Sequence, residues 1–392
     1  MNDRAALDLL LAHGPLSRAR IGDLTGLSKP TASQLLARLE AAGLVVAAGT
    51  TAGRPGPAAQ LYAVDPHAAR VAGVDVTPGR VVAAVAGLTG EVIGSHALPY
   101  SEGVGAAGAA DQVTRALDRA LKAAGLHRCD LHRAVIATPG SFDPRTGVLR
   151  HADHLPRGWH SPTLREELAA ALPVPVAYEN DVNLAAIAEQ RLGAARGHRD
   201  FVLLWNEEGL GAALVLGGRL HRGSTGGAGE VGFLPVPGHP LVRQAARLGS
   251  GGYQALAGAQ AVPELAAELG MVLPPAVPAG EPVGAAVALL RQAAAHPEGA
   301  QLRLLRRYAT ALATGLASLV AVLDPEVVVL SGAVNDAGGD VLRELLAAEL
   351  ADLAPSRPRL VPGTVRERPV LRGALESALA ATRDEVFDTT RR

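Results

Sequence analysis

The polar run Glu179-Asn180-Asp181-Val182-Asn183 follows a short apolar stretch, Val174 to Tyr178, and leads into a helical pattern, Leu184 to Arg191. It therefore lies just after a strand, where the chain emerges at a sheet edge. Asn beside Asp offers donors and acceptors for two adjacent hydroxyls, as a sugar presents them. The Asp is also suited to take a hydroxyl proton as general base. Capping the helix would explain one polar residue here, not four in five. A second cluster is Gly226-Gly227-Ala228-Gly229-Glu230-Val231-Gly232-Phe233, with Glu230 its one ionisable side chain. Its glycines let backbone approach a ligand closely and permit positive φ. As structure alone it reads as a hinge or turn; the setting of Glu230 favours ligand contact.

A third stretch, Leu27 to Leu44, has the chemistry of a surface-reading helix. Ser28 is a good N-cap, Pro30 is tolerated in the first turn, and Gly43 supplies the stop. Ala32, Leu35, Leu36 and Leu39 form one apolar stripe. Opposite it lie Pro30, Gln34, Ala37, Arg38 and Ala41, flanked by Thr31 and Ser33: small or polar, with a cation and no acid. A face meant only for solvent would mix Glu and Lys; this one suits a phosphate-rich groove. Before it, Ala5 to Leu11 reads as a helix, and Ser17 caps another through Leu24, with Ile21 and Leu24 inward. Helix, Gly-containing turn, helix is helix-turn-helix grammar. Val45–Ala48 and Leu61–Val64 then read as strands around Gly53-Arg54-Pro55-Gly56-Pro57, a wing with a cation at its tip.

With 392 residues the chain has room for two or three domains. The formal net charge is −1, and residues 1–60 carry only a small basic surplus: Arg4, Arg18, Arg20, Lys29, Arg38 and Arg54 against Asp3, Asp8, Asp23 and Glu40. Affinity for DNA then has to come from paired heads rather than a polycationic tail. A single cysteine, Cys129, excludes an intramolecular disulfide and a cysteine-built zinc site, so a reducing cytoplasm is expected. No signal peptide is read at the start. The most apolar run, Ala309 to Leu323, is broken by Asp324-Pro325 and is too short to span a bilayer.

Past a boundary at Asp65-Pro66-His67, three short strands with Gly-containing turns lead to a helix (Ala109–Ala124), a strand (Ala134–Ala137) and a loop beginning Thr138-Pro139-Gly140. The same grammar returns from Phe201: three strands, helices including Gln301–Leu323, a buried strand Val327–Leu330, and a last helix Gly373–Ala381. Beyond Arg383 the tail reads as frayed. Two such lobes indicate a duplicated α/β fold with a ligand cleft between them.

This combination resembles the ROK family (repressors, open reading frames and sugar kinases), and within it the repressor branch with a winged helix in front. The likeness covers essentially the whole chain. It rests on Gly53-Arg54-Pro55, Thr138-Pro139-Gly140, Gly158-Trp159, Asn180-Asp181 with Glu189 and Gly193, and Gly229-Glu230-Val231-Gly232. The resemblance implies an N-terminal winged helix-turn-helix (1–65) and a duplicated two-lobed actin-like (ribonuclease H-like) ATPase/sugar-kinase fold. Its small lobe would be 70–177 plus about 372–392, and its large lobe 178–371. In the family's kinases the Asn-Asp pair and the Glu of Gly-Glu-x-Gly-His hold the sugar, and the Asp is catalytic base toward ATP; those roles map to Asn180, Asp181 and Glu230.

The departures point away from the kinase branch. The family's Asp-x-Gly-Gly-Thr phosphate loop is Asp75-Val76-Thr77-Pro78-Gly79 here, and Pro78 removes a backbone donor. The second phosphate turn is Asn206-Glu207-Glu208-Gly209-Leu210-Gly211; at an effective dielectric of about 20, each like-charge contact at ~4 Å with a triphosphate costs about 4 kcal/mol. Phe233 stands where the family has His, and Arg243 to Tyr253 replaces the family's cysteine-rich zinc loop. The expectation is a cytoplasmic, dimeric or higher-order repressor with no catalytic residues, no metal and no cofactor, making no membrane contact. It would bind a double-stranded DNA operator through Lys29, Thr31, Ser33, Gln34, Arg38 and Arg54. A sugar-like effector would sit in the interlobe cleft at Gly158, Asn180, Asp181, Glu230 and Phe233. The rival readings are a sugar kinase with a DNA-binding head and an effector-independent regulator with a vestigial cleft.

Overall fold

In the computed structural model, the described residues are 2–51, 58–100, 108–143, 146–150, 152, 155–243, 251–273 and 280–388. They fall into two compact units: Met1–Ala137 with Pro156–Tyr178 and Ala374–Arg392, and Thr138–Leu155 with Glu179–Gly373.

The first unit begins with the head. Helices α1 (Asn2–His13), α2 (Arg18–Thr25) and α3 (Lys29–Ala41) stand with a three-stranded sheet of β1 (Leu16–Ser17), β2 (Val45–Thr50) and β3 (Gln60–Val64), in the order β1-β3-β2. Ser17 Oγ accepts the Arg20 N–H and Ser28 Oγ the Thr31 N–H, the caps expected for α2 and α3. The α3 stripe Ala32, Leu35, Leu36 and Leu39 is buried, and it joins Leu7, Leu10, Ile21, Tyr62 and Val64 in one core. Leu24 departs from expectation: it is 38% exposed. α2 buries Ile21 and Gly22, and Leu24 lies about 200° around the helix from Gly22. The wing tip, residues 52–57 with Arg54, lies outside the described residues.

Behind the head, β4 (Arg70–Val76), β5 (Arg80–Gly87) and β6 (Val92–Pro99) form an antiparallel meander. β7 (Arg133–Thr138) pairs parallel to β4, and β10 (Val176–Asn180) takes the far edge, giving the order β6-β5-β4-β7-β10. α4 (Ala109–Ala123) covers β5 and β6, and α5 (Leu164–Ala171) packs against α4.

The second unit repeats that order as β13-β12-β11-β14-β15. β11 (Phe201–Asn206), β12 (Leu210–Leu216) and β13 (Arg219–His221) are antiparallel, while β14 (Val327–Ser331) and β15 (Arg359–Pro362) add in parallel. A short hairpin, β8 (Ser141–Phe142) and β9 (Leu149–Arg150), and helix α6 (Asp181–Leu192) belong to this unit. So do α7 (Gly252–Ala257), α8 (Ala261–Glu268), α9 (Pro282–Ala295), α10 (Gly299–Leu323) and α11 (Ala333–Leu353). The apolar run that might suggest a membrane span lies inside α10, whose Leu312, Leu316 and Val320 are core. Among the described residues no helix is long and apolar enough to cross a membrane. Two mixed sheets of one topology are the duplicated α/β fold that the paired strand meanders imply.

The last helix, α12, runs Pro369–Asp388, which corrects the frayed tail. Charge at 383–385 masks a buried face. Phe387 is 2% exposed and belongs to the head's core, with Val386 packed beside it.

Candidate DNA-reading helix and polar cluster

The outward face of α3 carries the expected groups. Lys29, Thr31, Gln34 and Arg38 are exposed, and Ser33 is half-buried. Two of them have local ties. Thr31 Oγ1 lies 2.8 Å from Ser28 Oγ, so its hydroxyl belongs to the cap network. Arg38 Nη2 donates to Asp3 Oδ1 at 2.5 Å, an ion pair with α1 that sequence reasoning missed. Nothing local signals it, because 35 residues separate the partners. A second basic side chain, Arg18, lies over the Tyr62 ring (5.2 Å to its centre) and donates Nε–H to its hydroxyl at 2.9 Å.

In the second unit, the end of β10 delivers Asn180 as the N-cap of α6: its Oδ1 accepts the Asn183 N–H at 3.0 Å, and its Nδ2 donates to the Gly140 carbonyl at 3.0 Å. Asp181 Oδ1 accepts the Val182 N–H at 2.8 Å. Glu179 organises the cluster from behind. Its Oε1 accepts from Asn180 N–H and Asn183 Nδ2, and its Oε2 pairs with Arg222 Nε at 2.6 Å. Capping therefore uses one face of Asn180. The cluster also buries Asn183, whose Oδ1 has no hydrogen-bond partner among the described residues.

The glycine-rich turn reaches the same region through backbone. Gly229 sits at φ +100 and its carbonyl accepts the Ala212 N–H at 2.9 Å; a Cβ there would fall 1.9 Å from the Ala212 carbonyl oxygen. Only glycine permits that approach. One residue earlier on β12, Gly211 meets the Val182 side chain of α6, with a built Cβ at 3.2 Å. Arg222, paired with Glu179, accepts the Ala228 N–H on its carbonyl at 3.1 Å. These links tie α6, through Val182, and the glycine-rich turn, through Gly229, to neighbouring residues of β12. Glu230 and Phe233 are both half-buried.

Gly158 belongs to the first unit, where a Cβ would stand 3.1 Å from the Ala109 N at the start of α4. Its neighbour Trp159 is buried and donates Nε1–H to Gln112 Oε1 at 3.3 Å. Burial pushes the nearby Tyr100 hydroxyl up to about 12, which hydrogen bonding to Trp159 opposes. Glu189, one of the motif residues, is fully buried and accepts N–H groups of Ala194, Thr364 and Val365.

The two turns read as altered phosphate loops have defined geometry. Thr77 N–H and Oγ1 both donate to the Arg80 carbonyl, at 2.9 and 3.1 Å, which closes the β4–β5 turn on itself. In the other turn, Asn206 is buried and its Nδ2 donates to Ala257 O and Tyr308 Oη, at 2.9 and 2.8 Å. Of the stretch replacing the zinc loop, residues 244–250 lie outside the described residues. Among those described, no three His, Cys, Asp or Glu side chains gather as a metal site.

Residues 71–381 match the ROK family, and residues 3–54 match the MarR family. A bifunctional enzyme, NanE/NanK of Brucella suis biovar 1, is 36% identical over 226 residues, 57% of this chain. The chain spans only 39% of that enzyme's length. The xylose repressor of Caldicellulosiruptor bescii is 25% identical over 236 residues, covering 60% of this chain and 59% of the repressor. Among solved structures, a ROK hexokinase from Thermus thermophilus is 29% identical, covers 80% of this chain and 99% of its own, and has a TM-score of 0.65. A ROK family transcriptional regulator, described as a homolog of the E. coli MLC protein, has a TM-score of 0.73 over 99% of this chain and 98% of its own, at 20% identity. That likeness supports the fold: a winged-helix head followed by the actin-like two-lobed α/β domain. The enzyme relatives overturn the expectation that the chain is no enzyme. It rested on two altered turns, whereas the similarity to a hexokinase and to NanE/NanK extends over more than half the chain. With the family match spanning both sheets, the chain belongs to the ROK family.

Proposed function

We propose that this protein is a sequence-specific DNA-binding transcriptional repressor of the ROK family, controlled by a sugar or sugar-derived effector. The observation that carries the reading is α3: a capped helix with its apolar stripe buried and Lys29, Gln34 and Arg38 exposed, ahead of a ROK domain. Helix α3 enters the major groove, where Thr31, Ser33 and Gln34 face base edges, with Gln34 suited to adenine. Lys29 and Arg38 hold phosphates, and Arg54 of the wing reaches phosphate or minor groove. Two heads of a homodimer, or of a higher homo-oligomer, then read an operator in the cytoplasm.

The effector reading is supported by the residue types at the Asn180–Asp181 turn and at Glu230, an amide and two carboxylates of the kind that bind a polyol, although the amide and one Asp181 oxygen also bond to backbone groups. Gly158 and Phe233 are the remaining proposed effector positions. The test is selection of duplexes from a random library by the full-length protein, followed by release assays with D-xylose and D-glucose. An enriched duplex released by one of these sugars supports the reading. If no duplex is enriched, the reading fails.

A second reading, a sugar kinase carrying a DNA-binding head, is favoured by Asp181 at the first turn of α6 and by the similarity to hexokinase and NanE/NanK. A coupled assay of ATP consumption over hexoses and amino sugars separates the two; sustained, sugar-dependent turnover establishes the second.

A further inference from the structure

Helix α12 crosses the boundary between the units: residues to Gly373 belong to the second and residues from Ala374 to the first. At its start it lies backbone against backbone on α6, since a Cβ on Gly373 would fall 1.8 Å from the Leu184 carbonyl oxygen. Leu184 is one helical turn beyond Asp181. At its end α12 is built into the head. Phe387 fills the head's core, the Arg4 guanidinium lies 5.3 Å from the centre of its ring, and Arg4 Nη2 pairs with Asp384 Oδ1 at 2.7 Å. Arg383 donates Nε–H and Nη2–H to the Leu88 carbonyl at 3.0 and 2.8 Å, and Glu385 pairs with Arg133 of β7. The path continues: Asp3, next to Arg4 on α1, holds Arg38 of α3.

We infer that α12 is a relay from the Asn180–Asp181 turn to the DNA-reading helix. A rigid helix fixed at both ends, with no side chain at Gly373 to cushion the contact, carries a displacement of α6 along its axis. The displacement arrives at Arg4 and Asp3, and so at the guanidinium that α3 presents to phosphate. This rests on the regulator reading given above. It adds a covalently continuous route of named contacts, each lying within one unit and joined by α12 itself.

The test is amide hydrogen exchange on the full-length chain without DNA or sugar. Gly373→Ala forces α12 off Leu184 and is expected to speed exchange in residues 2–13 at least tenfold. Leu346→Ala, equally buried in the second unit but on α11, is expected to leave those residues unchanged. Unaltered exchange of residues 2–13 in Gly373→Ala overturns the relay, as does an equal increase in both variants. Should Gly373→Ala not fold, Asp384→Asn removes only an exposed ion pair. It is expected to speed exchange in residues 2–13 at least threefold with residues 181–192 unchanged, and no change there overturns the relay. A second arm measures affinity for a duplex enriched by the wild type, which Gly373→Ala is expected to shift at least fivefold; unchanged affinity overturns the relay. If the wild type enriches no duplex, the regulator reading fails, and the exchange experiment still decides the relay.

Discussion

Substituting Glu189 tests whether a motif residue acts by holding the fold. Its carboxylate is fully buried in the second unit. Oε1 accepts the N–H groups of Thr364 and Val365, each at 2.8 Å, and Oε2 accepts the Ala194 N–H at 2.7 Å and lies 3.3 Å from Thr364 Oγ1. Gly193 makes room for it, since a Cβ there would stand 2.0 Å from Oε2. Glu189→Ala orphans three backbone donors aimed at its buried carboxylate, two on half-buried residues and one on the exposed Thr364. At about 1–3 kcal/mol per orphaned group, the loss runs from ~3 to ~9 kcal/mol, and water entering the vacated space moves it toward the lower end, about 3–5 kcal/mol. Glu189→Gln keeps one carbonyl for Thr364 and Val365 and turns an amide toward Ala194, so about 1–3 kcal/mol is expected. Against a typical total of about 5–15 kcal/mol, the alanine variant is severely weakened and the glutamine variant folds. Urea unfolding followed at Trp205 of β11, in a Trp159→Phe background, measures both. A loss below about 1 kcal/mol for Glu189→Ala would refute the assignment.

Arg38→Ala should weaken binding to all duplexes and flatten the salt slope by about one unit, whereas Gln34→Ala should relax preference at one base position; a uniform loss for Gln34→Ala would show that the helix is placed wrongly. Asp181→Ala and Glu230→Ala should each remove hydrogen bonds to the effector at about 1.5–3 kcal/mol apiece, so the effector response falls more than tenfold while operator affinity without effector stays near wild type. Unchanged dose curves for both would leave the cluster no part in sensing. Burial pushes the hydroxyls of Tyr100 and Tyr178 up to about 12 and raises those of Tyr253 and Tyr308 as well. Their stabilising contribution is complete below the ordinary tyrosine value near 10 and is lost as pH rises from there through about 12. Absorbance titration should therefore show these four ionising well above 10, together with alkaline unfolding; release of all four phenolic protons near 10 would contradict the burial.

The head was legible because its signals are local. Ser17 and Ser28 cap the helices they precede, and the four apolar positions of α3 are the four it buries. The strand meanders were readable for the same reason, since alternation and Gly-containing turns act over a few residues. Leu24 failed because a stripe drawn from spacing assumes a partner on that side, while α2 turns its Ile21–Gly22 face inward. The polar cluster was legible as a cluster, but the division of labour within it was not. Sequence identifies Glu179 as polar; only the fold supplies Arg222 as its partner, 43 residues away.

The tail shows most clearly where local reading stops. Arg383-Asp384-Glu385 has the look of a solvated end, and from spacing alone nothing competes with that reading. Each of the three charges nevertheless has a specific partner far off in the chain: Leu88, Arg4 and Arg133. Ion pairs on a surface contribute little one by one, so these do not hold the helix down alone. Phe387 does: burying a phenylalanine contributes about 1.5–3 kcal/mol, and it is the hydrophobic anchor about which the pairs set the register. A winged helix of about sixty residues has a small core, and one aromatic ring supplied from the other end of the chain is a large share of it. The head's stability is thus tied to α12, whose start rests at Gly373 against the Leu184 carbonyl of α6.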